Sequence, residues 1–248
     1  MKSLINTSLL KEEILKSPVL DFINESLYPG DDLILLQVAG SQVAGLATEN
    51  SDIDISALST KSWDLNPSIV GEFQNKHFHW WLCPFDFFFK AYVEPKFLTL
   101  FLNGSYYMSF KEENILYINP KYTKLIDFLR NNYDKQKELS IYQLVDCLQS
   151  KIEIWKNYKK FPFSKVYAPL IDFYYEKNNL KRNVNLILKA KTSKKTKEKL
   201  TDEEQAEIRK ALLWTVDYIR SQPYNYKLAG LEWQLEADRI LKECQEKC

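Results

Sequence analysis

The segment from residue 33 to residue 58 most constrains what this chain can fold into. It reads LILLQVAGSQVAGLATENSDIDISAL. The apolar run Leu33–Val38 predicts a buried strand, because its length suits a strand better than a helix. Gly40-Ser41 then predicts a tight turn that leads into a short helix over Gln42–Ala47. A strand, a turn and a short helix are therefore expected in immediate succession.

Two acids follow on a second predicted strand, which Ser51 opens. Residues two apart on a strand project to the same face, so Asp52 and Asp54 converge while Ile53 and Ile55 point the other way. Two carboxylates on one face repel each other unless a cation lies between them. Oxygen ligands of this kind suit Mg²⁺, which keeps waters and takes phosphates from its substrate.

The turn and the acids together predict a site for a nucleoside triphosphate on magnesium. A Gly-Ser turn at a helix start offers backbone N–H groups and a hydroxyl to a phosphate. We therefore expect Gly40, Ser41 and Ser51 to bind nucleotide and Asp52 and Asp54 to bind metal. Each half alone is more often an ordinary turn or a solvated strand end, but their joint occurrence between two apolar strands favours the site.

The same segment resembles the nucleotide-binding motif of the DNA polymerase β-like nucleotidyltransferase superfamily. Within it, the segment is most similar to the RlaP-like (YcgL) group, whose motif runs GSxxxGLATxxSDID. The matching residues are Gly40, Ser41, Gly45, Leu46, Ala47, Thr48, Ser51, Asp52, Ile53 and Asp54. The resemblance implies a small mixed α/β sheet of the nucleotidyltransferase type with flanking helices.

The superfamily also has a third carboxylate on a later strand, for which Asp86 is the candidate. It is the only acid in the aromatic run from His77 to Phe89, which favours a β-strand. A buried carboxylate is costly without a partner, so either a metal or a structural hydrogen bond must satisfy Asp86. The resemblance favours the metal. Farther along, relatives have an Asn-Pro pair and a Glu where this chain has Ser105-Tyr106-Tyr107, so any contact made by that turn does not carry over.

The resemblance further implies an enzyme that holds two Mg²⁺ ions with Asp52, Asp54 and Asp86. It would transfer a nucleoside monophosphate (NMP) from a nucleoside triphosphate (NTP) to an RNA acceptor, a tRNA end, since members of the group are implicated in tRNA 5′-end repair. Two alternatives stay open. One is a transferase that modifies a small molecule or a protein side chain, and the other is a catalytically silent module that binds nucleotide or RNA.

Composition is that of an ordinary globular protein. The chain has 248 residues, of which 45% are hydrophobic and 27% charged, and this balance argues against wholesale disorder. The first residues lack the apolar stretch of a signal peptide, and no apolar run reaches the ~18 residues of a membrane span. Four cysteines without CxxC spacing are typical of a reduced protein. We therefore expect a cytoplasmic location and no membrane partner.

Positive charge is concentrated between residues 151 and 200. This stretch holds fourteen Lys and Arg against four Asp and Glu, although the net charge of the chain is only +1. A basic stretch with interleaved aromatic residues is what a nucleic-acid backbone and its bases would contact. A solvated helix face explains the same pattern without any ligand. The candidate RNA contacts are Lys189, Lys191, Lys194, Lys195 and Lys197.

Hydrophobic periodicity and turn signals predict two parts, a catalytic domain over residues 1–119 and a helical domain over residues 120–248 that is basic in its first part. Thr201 and Glu204 have the spacing of a capping box at a helix start. The strands fall between Leu33 and Phe89 and at Ile115–Ile118. The predicted helices are Leu9–Leu27, Phe97–Asn103, Lys121–Asn132, Ile141–Lys159, Lys165–Lys177, Val184–Lys191, Asp202–Ser221 and Tyr226–Cys244.

Overall fold

A five-stranded mixed sheet organises the first half of the described chain. The computed structural model describes residues 6–16, 18–62, 69–73, 75–85, 106–107, 110–148, 167–196 and 200–246. The strands are β1 Leu33–Ala39, β2 Ile53–Ser59, β3 Ile69–Phe73, β4 Lys76–Pro84 and β5 Ile115–Ile118. Their order across the sheet is β3-β4-β2-β1-β5. Only β2 and β4 run parallel, while the other neighbours are antiparallel.

Helices flank this sheet in the chain and then make up the second half of the described residues. They are α1 Thr7–Lys16, α2 Val19–Glu25, α3 Gly40–Val43, α4 Thr123–Asn131, α5 Tyr133–Cys147, α6 Tyr167–Lys177, α7 Val184–Thr196, α8 Asp202–Ser221 and α9 Tyr226–Glu246. The predicted fold class is confirmed: a small mixed α/β sheet with flanking helices precedes a helical second half. Among the described helices, none combines the length and the apolar character needed to cross a bilayer.

Several predicted boundaries are wrong for identifiable reasons. The single helix expected over Leu9–Leu27 is two helices that separate at Pro18, which has no N–H to donate and takes the N-cap position of α2. The short helix α3 ends earlier than expected, and Gly45 beyond it adopts a φ of 62°. Helix α5 begins at Tyr133 rather than at Ile141, because its first residues favour a helix by propensity without showing apolar periodicity.

The predictions for α4, α6, α8 and α9 agree with the structure to within about two residues where it describes them. The predicted helix Val184–Lys191 is too short, because α7 continues to Thr196. The start of α8 has the predicted capping box, with Thr201 and Glu204 bonded reciprocally. The predicted helix Phe97–Asn103 lies outside the described residues, as does the end of Ile141–Lys159. Strand β5 matches its predicted range, and β3 had not been predicted as a separate strand.

One face of the sheet is covered by the two N-terminal helices. The buried side chains of α1 and α2, Leu10, Ile14, Val19 and Ile23, join a single apolar cluster with residues of the strands. From β2 this cluster takes Ile53, Ile55 and Ala57, which are the odd-numbered positions. The even-numbered residues of β2, Asp54 among them, must therefore point to the opposite face.

A hydrogen-bonded cluster closes the end of the sheet where β1 begins. The Asp31 carboxylate accepts hydrogen bonds from the hydroxyls of Thr60, at 3.2 Å, and Ser62. The Asp32 carboxylate accepts from Tyr122 Oη at 2.5 Å and from Lys121 Nζ at 3.0 Å. The Tyr122 hydrogen bond is the main reason why the pKa of Asp32 lies below its usual value. Burial, with a further contribution from Asp32, raises the pKa of Tyr122.

The chain divides into two compact units that are discontinuous in sequence. The first comprises residues 1–93, 107–135 and 227–248, and the second residues 94–106 and 136–226. The single boundary at residue 119 predicted from sequence differs from this division, since α4 and most of α9 group with the sheet. Ring contact between Phe128 of α4 and Trp233 of α9, with centroids 6.5 Å apart, belongs to the first unit.

Helix α6 is the centre of the second unit. Nine consecutive residues of it, from Tyr167 to Tyr175, are buried. One buried acid in this stretch, Asp172, is paired with the Arg182 guanidinium through both carboxylate oxygens. The hydroxyl of Thr215 on α8 donates to the Leu170 carbonyl at 3.0 Å. These bonds satisfy polar groups that would otherwise be buried without partners.

Candidate functional site

The turn at the end of β1 requires a glycine. Gly40 has a φ of 64°, in the left-handed region that L-residues with a side chain rarely adopt. A Cβ atom built on Gly40 would lie 2.0 Å from Oδ2 of Asp54. The backbone pairing explains this proximity, because Ala39 is the register partner of Asp54. The first and last residues of the sequence motif, which are fourteen residues apart, are thus adjacent in the fold.

Asp54 is the second residue of β2 and lies on the face away from the apolar cluster. Asp54 is half-buried against the Gly40 turn. Asp52 immediately precedes the strand, which begins at Ile53 and not at Ser51 as predicted, and its side chain is 57% exposed. The predicted alternation therefore holds, with Ile53 and Ile55 buried in the core between and beyond the two acids.

His79 on β4 is the neighbour of both acids that sequence reasoning did not assign to the site. It is the register partner of Asp54 in the parallel β2–β4 pair. Its Nε2 atom lies 3.7 Å from Oδ2 of Asp52, and its side chain is 24% exposed. The alternation of His77 and His79 along an otherwise aromatic strand was the only available signal. The register that sets it opposite Asp54 exists only in the folded sheet.

Gln42 links the short helix to the acidic strand. Its side chain is 3% exposed, and its Nε2 donates to the backbone carbonyl of Asp52 at 3.5 Å. This bond connects α3 to the residue that precedes β2. The half-buried Ser41, predicted to bind phosphate, precedes Gln42 on the same helix.

Ser51 is used within its own turn. Its Oγ accepts a hydrogen bond from the backbone N–H of Thr48 at 2.8 Å, and its own N–H donates to the Thr48 carbonyl at 3.0 Å. The two hydroxyls are 3.1 Å apart. The structure therefore gives Ser51 a local role, which is to shape the turn that leads into Asp52. Its predicted nucleotide contact stays a prediction.

Polar side chains continue along the acidic face of the sheet beneath the site. Gln37 on β1 and Ser56 on β2 are register partners, and both are fully buried. Within the described part of the chain, neither the Gln37 amide nor the Ser56 hydroxyl has a hydrogen-bond partner. A buried polar group without a partner is costly. This face is therefore built with polar groups beyond the two acids.

The donor set fits Mg²⁺ held jointly by the protein and a phosphate ligand. Mg²⁺ is commonly bound through one or two carboxylates, with waters and substrate phosphates completing its octahedron. Asp52 and Asp54 supply two carboxylates at one strand start, beside a glycine turn whose lack of a side chain leaves the Asp54 carboxylate its space. Among the residues that the structure describes, no three His, Cys, Asp or Glu side chains are grouped to hold a metal by themselves.

The third predicted ligand, Asp86, lies outside the described residues. The strand before it pairs with β2 from Phe78, opposite Ile53, to Pro84, opposite Ser59. On the described part of β4, the residue opposite Asp54 is thus His79 and not an acid.

The predicted RNA contacts are on α7 or just after it, in the second unit. Lys189 is partly buried, and its Nζ is 2.7 Å from Oε1 of Glu204 at the start of α8. The charge of Lys189 is therefore already paired with a carboxylate of the protein. Lys191, Lys194 and Lys195 belong to the same helix, whereas Lys197 lies outside the described residues.

Comparisons with known proteins add a structural likeness. No protein-family model and no curated protein matches the sequence. A solved structure described as a nucleotidyltransferase-like protein from Exiguobacterium sibiricum matches 92% of this chain and 91% of its own, with a TM-score of 0.32 and 9% identity. A likeness at that level assigns neither activity nor substrate, so the functional argument rests on the geometry of the site.

Proposed function

We propose that the protein is a Mg²⁺-dependent nucleotidyltransferase that moves NMP from an NTP to an RNA acceptor, a tRNA end. The observation that carries the proposal is the contact between the Gly40 turn and Asp54, with Asp52 beside it at the start of the same strand. A turn of a type that can bind phosphate lies against the Asp54 carboxylate, and carboxylates are ligands of the kind that Mg²⁺ prefers, which supports the proposal.

The residues have distinct roles in this proposal. Asp52 and Asp54 hold Mg²⁺, and Ser41 with the backbone N–H groups of the Gly40 turn binds the β- and γ-phosphates. When bound, two Mg²⁺ ions would neutralise charge on the attacking and leaving oxygens. The acceptor hydroxyl gives its proton to Asp86, the proposed base, and its oxygen bonds to the α-phosphorus. The α–β phosphoanhydride bond breaks, and pyrophosphate leaves. Asp86 remains the proposed third carboxylate.

Support for an RNA acceptor comes from charge. The basic stretch of residues 151–200 contains α7, and a helix with several lysines can contact phosphates along a strand. The internal pair of Lys189 with Glu204 leaves Lys191, Lys194, Lys195 and Lys197 as the main proposed contacts.

Incubation with each α-³²P-labelled NTP, Mg²⁺ and total cellular RNA tests the proposal. We expect label in RNA, release of pyrophosphate, and loss of both in Asp52→Asn. Asp21→Asn is a matched control, since it changes an exposed acid on α2 in the same unit. Label in the protein or in a small molecule would contradict the RNA acceptor and indicate the alternative transferase, which modifies a small molecule or a protein side chain. Absence of label with every NTP, together with nucleotide binding, would indicate a silent binding module.

A further inference from the structure

Lys76 makes an unusual set of contacts at the first residue of β4. Its Nζ donates to three backbone carbonyl oxygens of one turn: Thr48 at 3.2 Å, Glu49 at 2.6 Å and Ser51 at 3.3 Å. A lysine ammonium has three N–H donors and no acceptor. All three donors can thus be used on this turn.

The turn formed by residues 48–51 is held from two sides. From within, the Thr48 and Ser51 hydrogen bonds close it. From outside, the Lys76 ammonium lies where the carbonyl oxygens converge. Converging carbonyl dipoles repel each other, and a cation placed between them removes that repulsion.

The turn is connected directly to the acids. Ser51 is followed by Asp52, and β2 begins at Ile53. Lys76 reaches the turn because β4 pairs with β2 from its third residue, where Phe78 lies opposite Ile53. The parallel register therefore determines both which lysine meets the turn and where Asp52 leaves it.

We infer that Lys76 is a positioning residue for the Asp52–Asp54 site, acting through the 48–51 turn. The inference rests on the proposed function as far as catalysis is concerned. Since its donors are engaged by carbonyls, Lys76 acts on the direction of the backbone that carries Asp52 and not on the substrate phosphates. Direct binding of the triphosphate by Lys76 is the competing role, and it makes different kinetic predictions.

Four variants separate these roles. Lys76→Met keeps the apolar stem without donors, Lys76→Arg keeps a cationic donor, and Lys76→Ala makes room for an added amine. Lys11→Met changes an exposed lysine on α1 and is the matched control. We expect Lys76→Met to lower kcat by about 10- to 100-fold, as loss of an outer support of a metal site does, with the KM for NTP within about twofold. Lys76→Arg should recover most of the activity.

Chemical rescue tests the donor role directly. Propylammonium should restore activity to Lys76→Ala, whereas tetramethylammonium should not, because it has the same charge and no N–H donor. A rise in KM with unchanged kcat in Lys76→Met would overturn the inference in favour of direct phosphate binding. Unchanged kcat and KM in that variant would overturn it altogether.

Amide hydrogen exchange makes the test independent of activity. The backbone N–H groups of Thr48 and Ser51 are bonded inside the turn, so their exchange should accelerate in Lys76→Met and not in Lys11→Met. If the wild-type protein transfers no nucleotide, the proposed function fails, but this exchange measurement still decides whether Lys76 holds the turn. Unchanged exchange in Lys76→Met would contradict the inference even if activity fell. If Lys76→Ala does not fold, the comparison of Lys76→Met with Lys76→Arg decides in the same way.

Discussion

The β1–β2 pair carries two acids at each end, and the acids at the two ends differ in their hydrogen-bond partners and exposure. At one end, Asp31 and Asp32 accept hydrogen bonds from hydroxyls and a lysine, which tie the start of β1 to residues 60–62 and 121–122. At the other end, the Asp52 side chain is more than half exposed, and Nε2 of His79 is 3.7 Å from its Oδ2. Acids with strong internal donors stabilise the fold, whereas an exposed acid beside another acid is available to a ligand.

The two glycines near these ends, Gly30 and Gly40, also differ in what surrounds them. Gly30, just before Asp31, and Gly40 both have positive φ values. A Cβ on Gly30 would meet no atom within 4 Å, while a Cβ on Gly40 would collide with the Asp54 carboxylate. The first glycine is required by backbone conformation alone. The second is also required by the space that Asp54 occupies.

The largest expected effect is on activity, when acids at the two ends are each replaced by asparagine. Asp52→Asn and Asp54→Asn should each reduce nucleotide incorporation by at least about 100-fold, because a direct ligand matters more than an outer support. Asp31→Asn should keep activity but lower Tm, since its carboxylate loses charge-assisted hydrogen bonds. Incorporation assays and thermal unfolding on all three variants check this. Similar activity losses at both ends would remove the distinction between them.

A second prediction uses the glycine pair. Gly30→Ala should cost about 1–2 kcal/mol of backbone strain, or roughly 2–8 °C in Tm, with activity preserved. Gly40→Ala adds a displacement of Asp54 to a similar strain, so activity should fall by at least about tenfold. Single-turnover incorporation measured well below both Tm values gives the comparison. Wild-type activity in Gly40→Ala would show that the contact with Asp54 has no catalytic role.

The lysines of α7 extend the comparison to the basic stretch. Changing Lys191, Lys194, Lys195 and Lys197 together to Ala should flatten the slope of log K against log salt for RNA binding by about two to four units. Lys189→Ala should change the slope by less than about half a unit, because Glu204 already pairs with Lys189. Fluorescence anisotropy with a labelled tRNA at several salt concentrations measures both. An unchanged slope in the variant with all four lysines replaced would exclude these lysines as RNA contacts.

The smallest expected effect is on stability at the Asp32 end. A carboxyl whose pKa is lowered on folding stabilises the protein above its unfolded pKa, and this stabilisation is lost as pH falls through the folded pKa. Tyr122→Phe removes the main cause of the lowered pKa of Asp32. Its Tm should be lower than that of the wild type by about 2–4 °C at neutral pH. The difference should shrink at pH values below the ordinary Asp pKa of about 3.9.

Thermal unfolding of both proteins between pH 2 and pH 7 measures this difference. A Tm gap that does not depend on pH would indicate lost packing and not a lost hydrogen bond to Asp32. Incorporation activity at neutral pH should be equal in the two proteins, because Tyr122 is at the end of the sheet away from Asp52.

The sequence by itself determined the local elements of the site. An apolar run, a glycine turn and alternating acids have periodicities that depend on near neighbours, so β1, the turn at Gly40 and the two faces of β2 follow from residues 33–58. The same reasoning gave the capping box of α8. The helix predicted over Leu9–Leu27 spans both α1 and α2, because the prediction does not include the break at Pro18. The predicted start of α5 is too late, because apolar periodicity is weak in its first residues.

Only the tertiary structure decided which strand lies beside the acids and in what register. The parallel pairing of β2 with β4 sets His79 opposite Asp54 and brings Lys76 to the 48–51 turn. The tertiary structure also groups α4 and most of α9 with the sheet, although about one hundred residues separate the two helices in sequence. Local patterns cannot specify such pairings, because register depends on contacts between residues far apart in the chain.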